Sequence, residues 1–275
     1  MRRVVVAAAV GVMAQTAYAA DMPDYGPLRG ALMETPRVVN WDGFYVGGQV
    51  GYGTADMNFG NSTKSMLRDL LNNVDLEEQY KISDWPVLGK TTSQGSLGYG
   101  GFAGYNFQWS DIVLGAEVSY LHSEFSGEYS GAQARRFAYP KDYYSDAAVS
   151  ANASMRITDL GSLRLRAGYA TGDFLPYVFG GVAGGRADIY RAVTSDLNYQ
   201  YVGSQVPALP SWNPAPNSSV SNQKGQFIYG YSAGLGFDMM LSRGVFLRAE
   251  WEYLRFTSPV DVSVNSVRGG LGYKF

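Results

Sequence analysis

Apolar and polar side chains alternate with a period of two through most of the chain beyond residue 41, the spacing of strands with two unlike faces. In GFYVGGQVGYG (43–53), Phe44, Val46, Val50 and Tyr52 fall on one face, and Tyr45, Gly47, Gln49 and Gly51 on the other. Between 95 and 109 the apolar face carries Leu97, Tyr99, Ala103, Tyr105, Phe107 and Trp109. From Ile112 it carries Leu114, Ala116, Val118 and Tyr120, with Glu117 and Ser119 opposite. Leu163, Leu165, Ala167 and Tyr169 oppose Arg164, Arg166 and Gly168, and Phe227 to Met239 sets large residues against Gly230, Ser232, Gly234, Gly236 and Asp238. Val245, Leu247, Ala249, Trp251 and Tyr253 oppose Arg248, Glu250 and Glu252. The segment 175–187 is the least regular, read with Tyr177, Phe179 and Ala183 on its apolar face against Gly180, Gly184 and Arg186. A last strand from about Asp261 to Phe275 makes eight.

The sizes on the two faces decide the surroundings. A soluble barrel turns its large apolar residues inward. Here the apolar face carries the large rings, and the opposite face is small or ionised with both signs represented; a membrane barrel places large residues in lipid and small or paired charged ones in a narrow lumen, which fits these sizes better. Tight turns at 109–111, 171–174 and 241–244 alternate with long connections at 56–93, 125–146 and 190–224. The pattern predicts an all-β fold: an eight-stranded antiparallel up-and-down transmembrane β-barrel with three long extracellular loops and both termini in the periplasm. Ala147, Val149, Ala151 and Ala153 carry the alternation beyond bilayer height, so the strand edges there stay open.

Composition narrows the class. The 34 glycines, about one residue in eight, exceed the usual ~7%, and 21 tyrosines and 13 phenylalanines accompany them. No run beyond residue 19 reaches the length of a membrane helix. Met1-Arg2-Arg3, a short apolar run and Ala17-Tyr18-Ala19 read as a signal peptide over 1–19. Residues 20–40 read as a flexible periplasmic segment and 41–275 as the barrel domain. With Arg2 and Arg3 removed, 20 basic residues face 24 acidic ones, which excludes a general nucleic-acid surface. There is no cysteine, hence no disulfide and no thiolate metal site. No cofactor and no catalytic residue are indicated.

Glu117, Arg164, Arg166, Arg248, Glu250, Glu252 and Arg268 share inward parity. Ions in a narrow lumen need partners. The plainer reading is a salt-bridged plug, the sharper one a gate that passes ions; eight strands leave an interior just filled by side chains. His122, the single histidine, reads as a rim residue at headgroup level, since no motif supplies the partners of a triad or a haem site. SMLRDLLNN (65–73) has helical spacing at Leu67, Leu70 and Leu71, with Ser65 as a possible cap, and reads as a short helix over the mouth. VPALPSWNPAPNSS (206–219) reads as an extended excursion that exposes Trp212. Trp41, Trp109, Tyr169, Tyr177 and Tyr273 are expected in the periplasmic aromatic girdle, and Tyr52, Tyr120 and Tyr253 in the outer one.

The stretches WDGFYVGGQVGYG (41–53), GSLRLRAGYATGDFLPYVFGGVAGG (161–185), FLRAEWEYLRF (246–256) and the terminal GGLGYKF resemble the small outer-membrane β-barrel family of alphaproteobacteria, porin-like proteins that include major surface antigens. The resemblance implies that Leu271, Tyr273 and Phe275 form the signal read by the barrel-assembly machinery. Some members bind haem through their loops. The expected function is a non-enzymatic structural or surface protein of the outer membrane, in contact with lipid and lipopolysaccharide, its lumen plugged by ion pairs. The alternatives are a narrow porin for small solutes or a loop-mediated haem or other ligand binder.

Overall fold

The computed structural model describes residues 39–275 apart from 73, 94, 140, 141, 205–210, 212, 213, 258 and 259. The expected signal peptide, most of the segment 20–40 and Trp212 lie outside the described residues. Eight long antiparallel strands form a ring: β1 (Gly43–Asn58), β3 (Ser96–Trp109), β4 (Ile112–Tyr139), β5 (Tyr143–Tyr169), β6 (Phe174–Tyr201), β7 (Asn217–Met240), β8 (Val245–Phe256) and β9 (Asp261–Lys274). A three-residue strand, β2 (Lys90–Thr92), adds to the outer end of β1. Pairing of β1 with β9, from Tyr45 against Lys274 to Asn58 against Asp261, closes the ring. Closure removes the unpaired strand edges that hydrocarbon does not tolerate. At the end with short connections, Ser110, Gly172 and Gly244 take positive φ angles of 53°, 59° and 81°, and glycine meets that demand without strain in the latter two.

The strands differ in length, and the difference organises the molecule. β4, β6 and β5 have 28, 28 and 27 residues, whereas β3, β8 and β9 have 14, 12 and 14. Since about 9–11 residues cross a bilayer, the 24 to 28 residues of β4–β7 leave roughly 45–60 Å of strand beyond it at ~3.3 Å per residue. The second and third long connections are thus built mainly of strand. The register slips at 122/125 in β4, at 157/159 in β5 and at 187/189 in β6 lie side by side on neighbouring strands. Such bulges bend strands and add twist, and this line marks where lipid belt gives way to the wall beyond it.

Below the line the large apolar residues face outward, Phe44, Leu97, Leu165, Val182 and Tyr229 among them. Above it the arrangement inverts. Ala147, Val149, Ala151, Ala153, Met155 and Ile157 of β5 are buried inside, with Ile189 and Val193 of β6. They have the same parity as lipid-facing Leu163 and Leu165, and the extra residue at the β5 bulge turns that parity from outside to inside. The first loop covers this inner face with α1 (Lys64–Leu70), α2 (Asp75–Tyr80) and a 3-10 turn (Ile82–Asp84). Leu67, Leu71, Leu76, Ile82 and Trp85 are buried there. The helix expected at 65–73 is present, but Thr63, not Ser65, occupies its N-cap, and no side chain caps it.

Candidate functional site

The lumen of the membrane tier collects the inward-facing ions. Glu117 of β4, Arg164 and Arg166 of β5, Asp238 of β7, Arg248, Glu250 and Glu252 of β8, and Arg268 of β9 interlock in one layer, with side chains 3% exposed or less. Period two places them there: each alternates with a lipid-facing neighbour, so hydrophobic burial outside forces the charged set inside. Arg164 donates from Nε to Glu117 Oε1 at 2.8 Å and from Nη2 to Glu250 Oε2 at 2.7 Å. Arg248 grips Asp238 with Nε and Nη2 at 2.8 and 3.0 Å, and Glu117 Oε2 with Nη1 at 2.6 Å. Arg166 Nη2 donates to Asp238 Oδ2 at 2.7 Å. Arg268 pairs with Glu252, whose carboxylate also lies 3.6 Å from Arg164 Nη1. Four guanidiniums meet four carboxylates, so the layer is neutral.

Aromatic rings complete it. The Tyr45 hydroxyl donates to Glu117 at 2.7 Å, and the Tyr177 hydroxyl to Glu250. Arg164, Arg166 and Arg248 stack over Phe179, Tyr177 and Phe102, with guanidinium carbon to ring centroid distances of 4.1, 3.7 and 3.9 Å. Cation–π contact and bidentate pairing suit arginine in a dry site far better than lysine. The inward glycines make room: a Cβ on Gly47 would sit 2.3 Å from the Phe102 ring, and one on Gly234 would sit 2.4 Å from that of Phe179.

Two expectations are corrected. Tyr177 and Phe179 point into the lumen, and Gly180, Gly184 and Arg186 point out, the reverse of the parity read for 175–187, because the rings gain arginine faces and a buried carboxylate there. Tyr177 therefore does not belong to the girdle, and neither does Trp41. Trp41 is 1% exposed and closes the short-turn end of the lumen with Val39, Phe102, Leu175, Met240 and Phe246. Trp109, Tyr169 and Tyr273 do face outward, as do Tyr52 and Tyr120. Asp238 is the ionic partner that sequence reasoning left out, although it shares the inward phase of Gly234 and Gly236.

His122 faces outward at the bulge line, where its Nδ1 lies 2.9 Å from Asp159 Oδ1 and its ring lies against Tyr99. Leu271, Tyr273 and Phe275 are exposed on the outer face, and the Phe275 N–H donates to the Phe44 carbonyl at 2.9 Å. Among the described residues, no group of three or more His, Cys, Asp or Glu is arranged to hold a metal ion.

A closed antiparallel ring with an apolar outside, an ionic inside and no edge strand in the belt defines a β-barrel membrane protein of the outer-membrane type. The sequence profile described as "Outer membrane protein beta-barrel domain" matches residues 5–275, and the chain belongs to that family, located in the outer membrane. It is similar to the 25 kDa outer-membrane immunogenic proteins of Brucella ovis (24% identical, covering 99% of this chain and 96% of that one) and Brucella abortus (23%, 99% and 97%). Similar solved structures include Ail, the attachment invasion locus protein of Yersinia pestis (TM-score 0.37, 13% identity, 85% of this chain and 99% of that one). Another is OprG from Pseudomonas aeruginosa (TM-score 0.32, 14%, 85% and 96%).

Proposed function

We propose that the protein is a sealed, non-enzymatic barrel that serves the outer membrane as a structural and surface protein. One observation carries this reading: the neutral ionic layer lies between two apolar ones, Trp41, Leu175 and Phe246 on one side and Leu121, Leu160 and Phe256 on the other. A hydrated ion has no path of polar groups to follow through such a stack, and opening the layer would expose several desolvated charges without partners at several kcal/mol each. Both termini belong in the periplasm on this reading, because short turns sit there in such barrels and long excursions sit outside. Leu271, Tyr273 and Phe275, outward on the last strand, are suited to recognition by the assembly machinery. The extracellular wall is the surface that a host would meet.

Single-channel conductance of the refolded protein in a planar bilayer, beside Glu250→Gln, tests the seal. The expected result is silence from inserted wild-type protein. Stable unitary openings whose size changes in Glu250→Gln would overturn the reading in favour of a narrow porin.

A further inference from the structure

On the outer face of β4–β7, the belt carries a hollow. In register across the four strands run Tyr120, Gly161, Gly184 and Tyr229, so two glycines lie side by side between two tyrosines. Val118, Leu163 and Val182 line the row beneath, and the Phe227 ring leans over Gly184, where an added Cβ would meet it at 2.6 Å. The groove encloses about 660 Å³ and is apolar almost throughout.

Its upper end is ionic. The row above is His122, Asp159, Arg186 and Phe227. Arg186 stands beside Asp159 in register, yet the two form no ion pair. The Asp159 carboxylate is already taken by the Tyr120 hydroxyl at 2.6 Å, His122 at 2.9 Å and the Thr158 hydroxyl at 2.9 Å. Asp188, the next outward acid, accepts the Gly225 N–H at 2.7 Å. Arg186 is left exposed over Gly225, without a hydrogen bond or ion pair to any described residue, and the exposed Lys224, which precedes Gly225 in the chain, likewise has no carboxylate partner among them. Arg156, by contrast, is spent on Glu124 at 2.7 Å. On the same strands lies a second hollow of about 320 Å³, of mixed lining, with polar side chains of Glu128, Ser154, Tyr190, Asn222 and Lys224 among its walls.

Apolar groove, unpaired cations at the height of the headgroups, and a shelf of mixed lining with an exposed tyrosine follow one another up a single face. We infer that this strip is a binding site for one phosphorylated glycolipid of the outer leaflet. An acyl chain lies over Gly161 and Gly184, a phosphate meets Arg186 and Lys224, and the sugar rests on the shelf at Tyr190. The chemistry argues against other occupants: a protein helix has no need of phosphate-binding cations at the belt's rim, and a diacyl phospholipid has no sugar for the shelf. A guanidinium in a partly dry site is well matched to a phosphate. The inference is independent of whether the lumen is sealed.

The test is native mass spectrometry of the full protein in mild detergent with diphosphoryl lipid A, with dioleoylphosphatidylglycerol, and with inorganic phosphate. A Cβ at Gly161 would meet only the Ser119 carbonyl, at 3.9 Å, so Gly161→Leu fills the groove without disturbing the wall. Gly48→Leu, outward and equally open on the far side of the ring, is the control. Wild type and Gly48→Leu should retain one lipid A, while Gly161→Leu and Arg186→Gln should each weaken retention at least tenfold, and phosphatidylglycerol and phosphate should bind no more than the variants do. Equal retention of lipid A by all four proteins would overturn the site, as would phosphatidylglycerol held as firmly as lipid A. Each variant's fold is checked by its heat-dependent gel mobility; should Gly161→Leu fail that check, Arg186→Gln, which removes no internal contact, still decides.

Discussion

Glu117 shows how little freedom a buried ion has in this lumen. Its carboxylate accepts from Arg164, Arg248 and the Tyr45 hydroxyl at once. Glu117→Gln keeps the shape but leaves one guanidinium without its countercharge, and should lower the unfolding free energy by about 3–5 kcal/mol. Urea titration in lipid vesicles, read by gel mobility, measures it. Combining Glu250→Gln with Arg164→Met restores neutrality and should cost less than the two single changes added together, a coupling that a double-mutant cycle reads directly. Gly234→Val should also destabilise, by about 1–3 kcal/mol or more, because Phe179 and the Trp251 carbonyl occupy the space its side chain needs. The seven charged positions of the lumen were legible because parity alone selects them. Asp238 was legible by the same rule, yet in a run of glycine and serine it reads as one more small polar residue. Which arginine meets which acid was not legible, since that depends on the stagger of strands around the ring.

Elements above the membrane obey a different logic from those within it. The first loop docks as a soluble core would, so Leu71→Ala should cost about 2–5 kcal/mol of local stability. Proteolysis between residues 60 and 93 should speed up, while the heat-resistant mobility of the barrel stays as it was. At the far end of the β4–β5 hairpin, Arg136 binds Asp146 through Nε and Nη2 at 2.6 and 2.9 Å. That hydrogen bonding holds the Asp146 carboxyl below its usual range. A depressed carboxylate stabilises the folded form above its unfolded pKa and loses that contribution as pH falls through the folded value. Amide protection factors at Phe137, Ala138, Tyr144 and Ser145 should therefore fall only in acid, and in Asp146→Asn they should be lowered already at neutral pH. The strands themselves were readable from alternation, whereas the inversion was not. Ala147 to Ala153 repeat the phase of Leu163 and Leu165, and nothing in the residue types announces the extra residue between them. The second helix escaped as well, because DLEEQY carries one buried apolar residue, Leu76, too few to show a period.

At the scale of the whole molecule, one chain joins two tiers of opposite polarity. The membrane tier hides ions and shows hydrocarbon; the tier beyond it hides hydrocarbon and shows serine, asparagine, threonine and charge. The tiers meet at a line of bulges, where the ladder register is interrupted on neighbouring strands, so they should not melt together. Hydrogen exchange against denaturant should release the wall and its helical cap at a concentration at which the belt amides of β1, β3, β8 and β9 remain protected; a single shared midpoint for both tiers would contradict the two-tier description. The outer surface of the wall is also nearly free of structural duty. Ser150 and Thr194 face outward from strands whose stability comes from the backbone ladder and from residues on the other side. Replacing them disturbs neither the cap beneath nor the barrel below. A lineage pressed by antibodies could therefore redraw this face again and again while the part that must fold in the membrane stays the same, and recognition that depends on the wall would have to follow a target able to move at almost no thermodynamic cost.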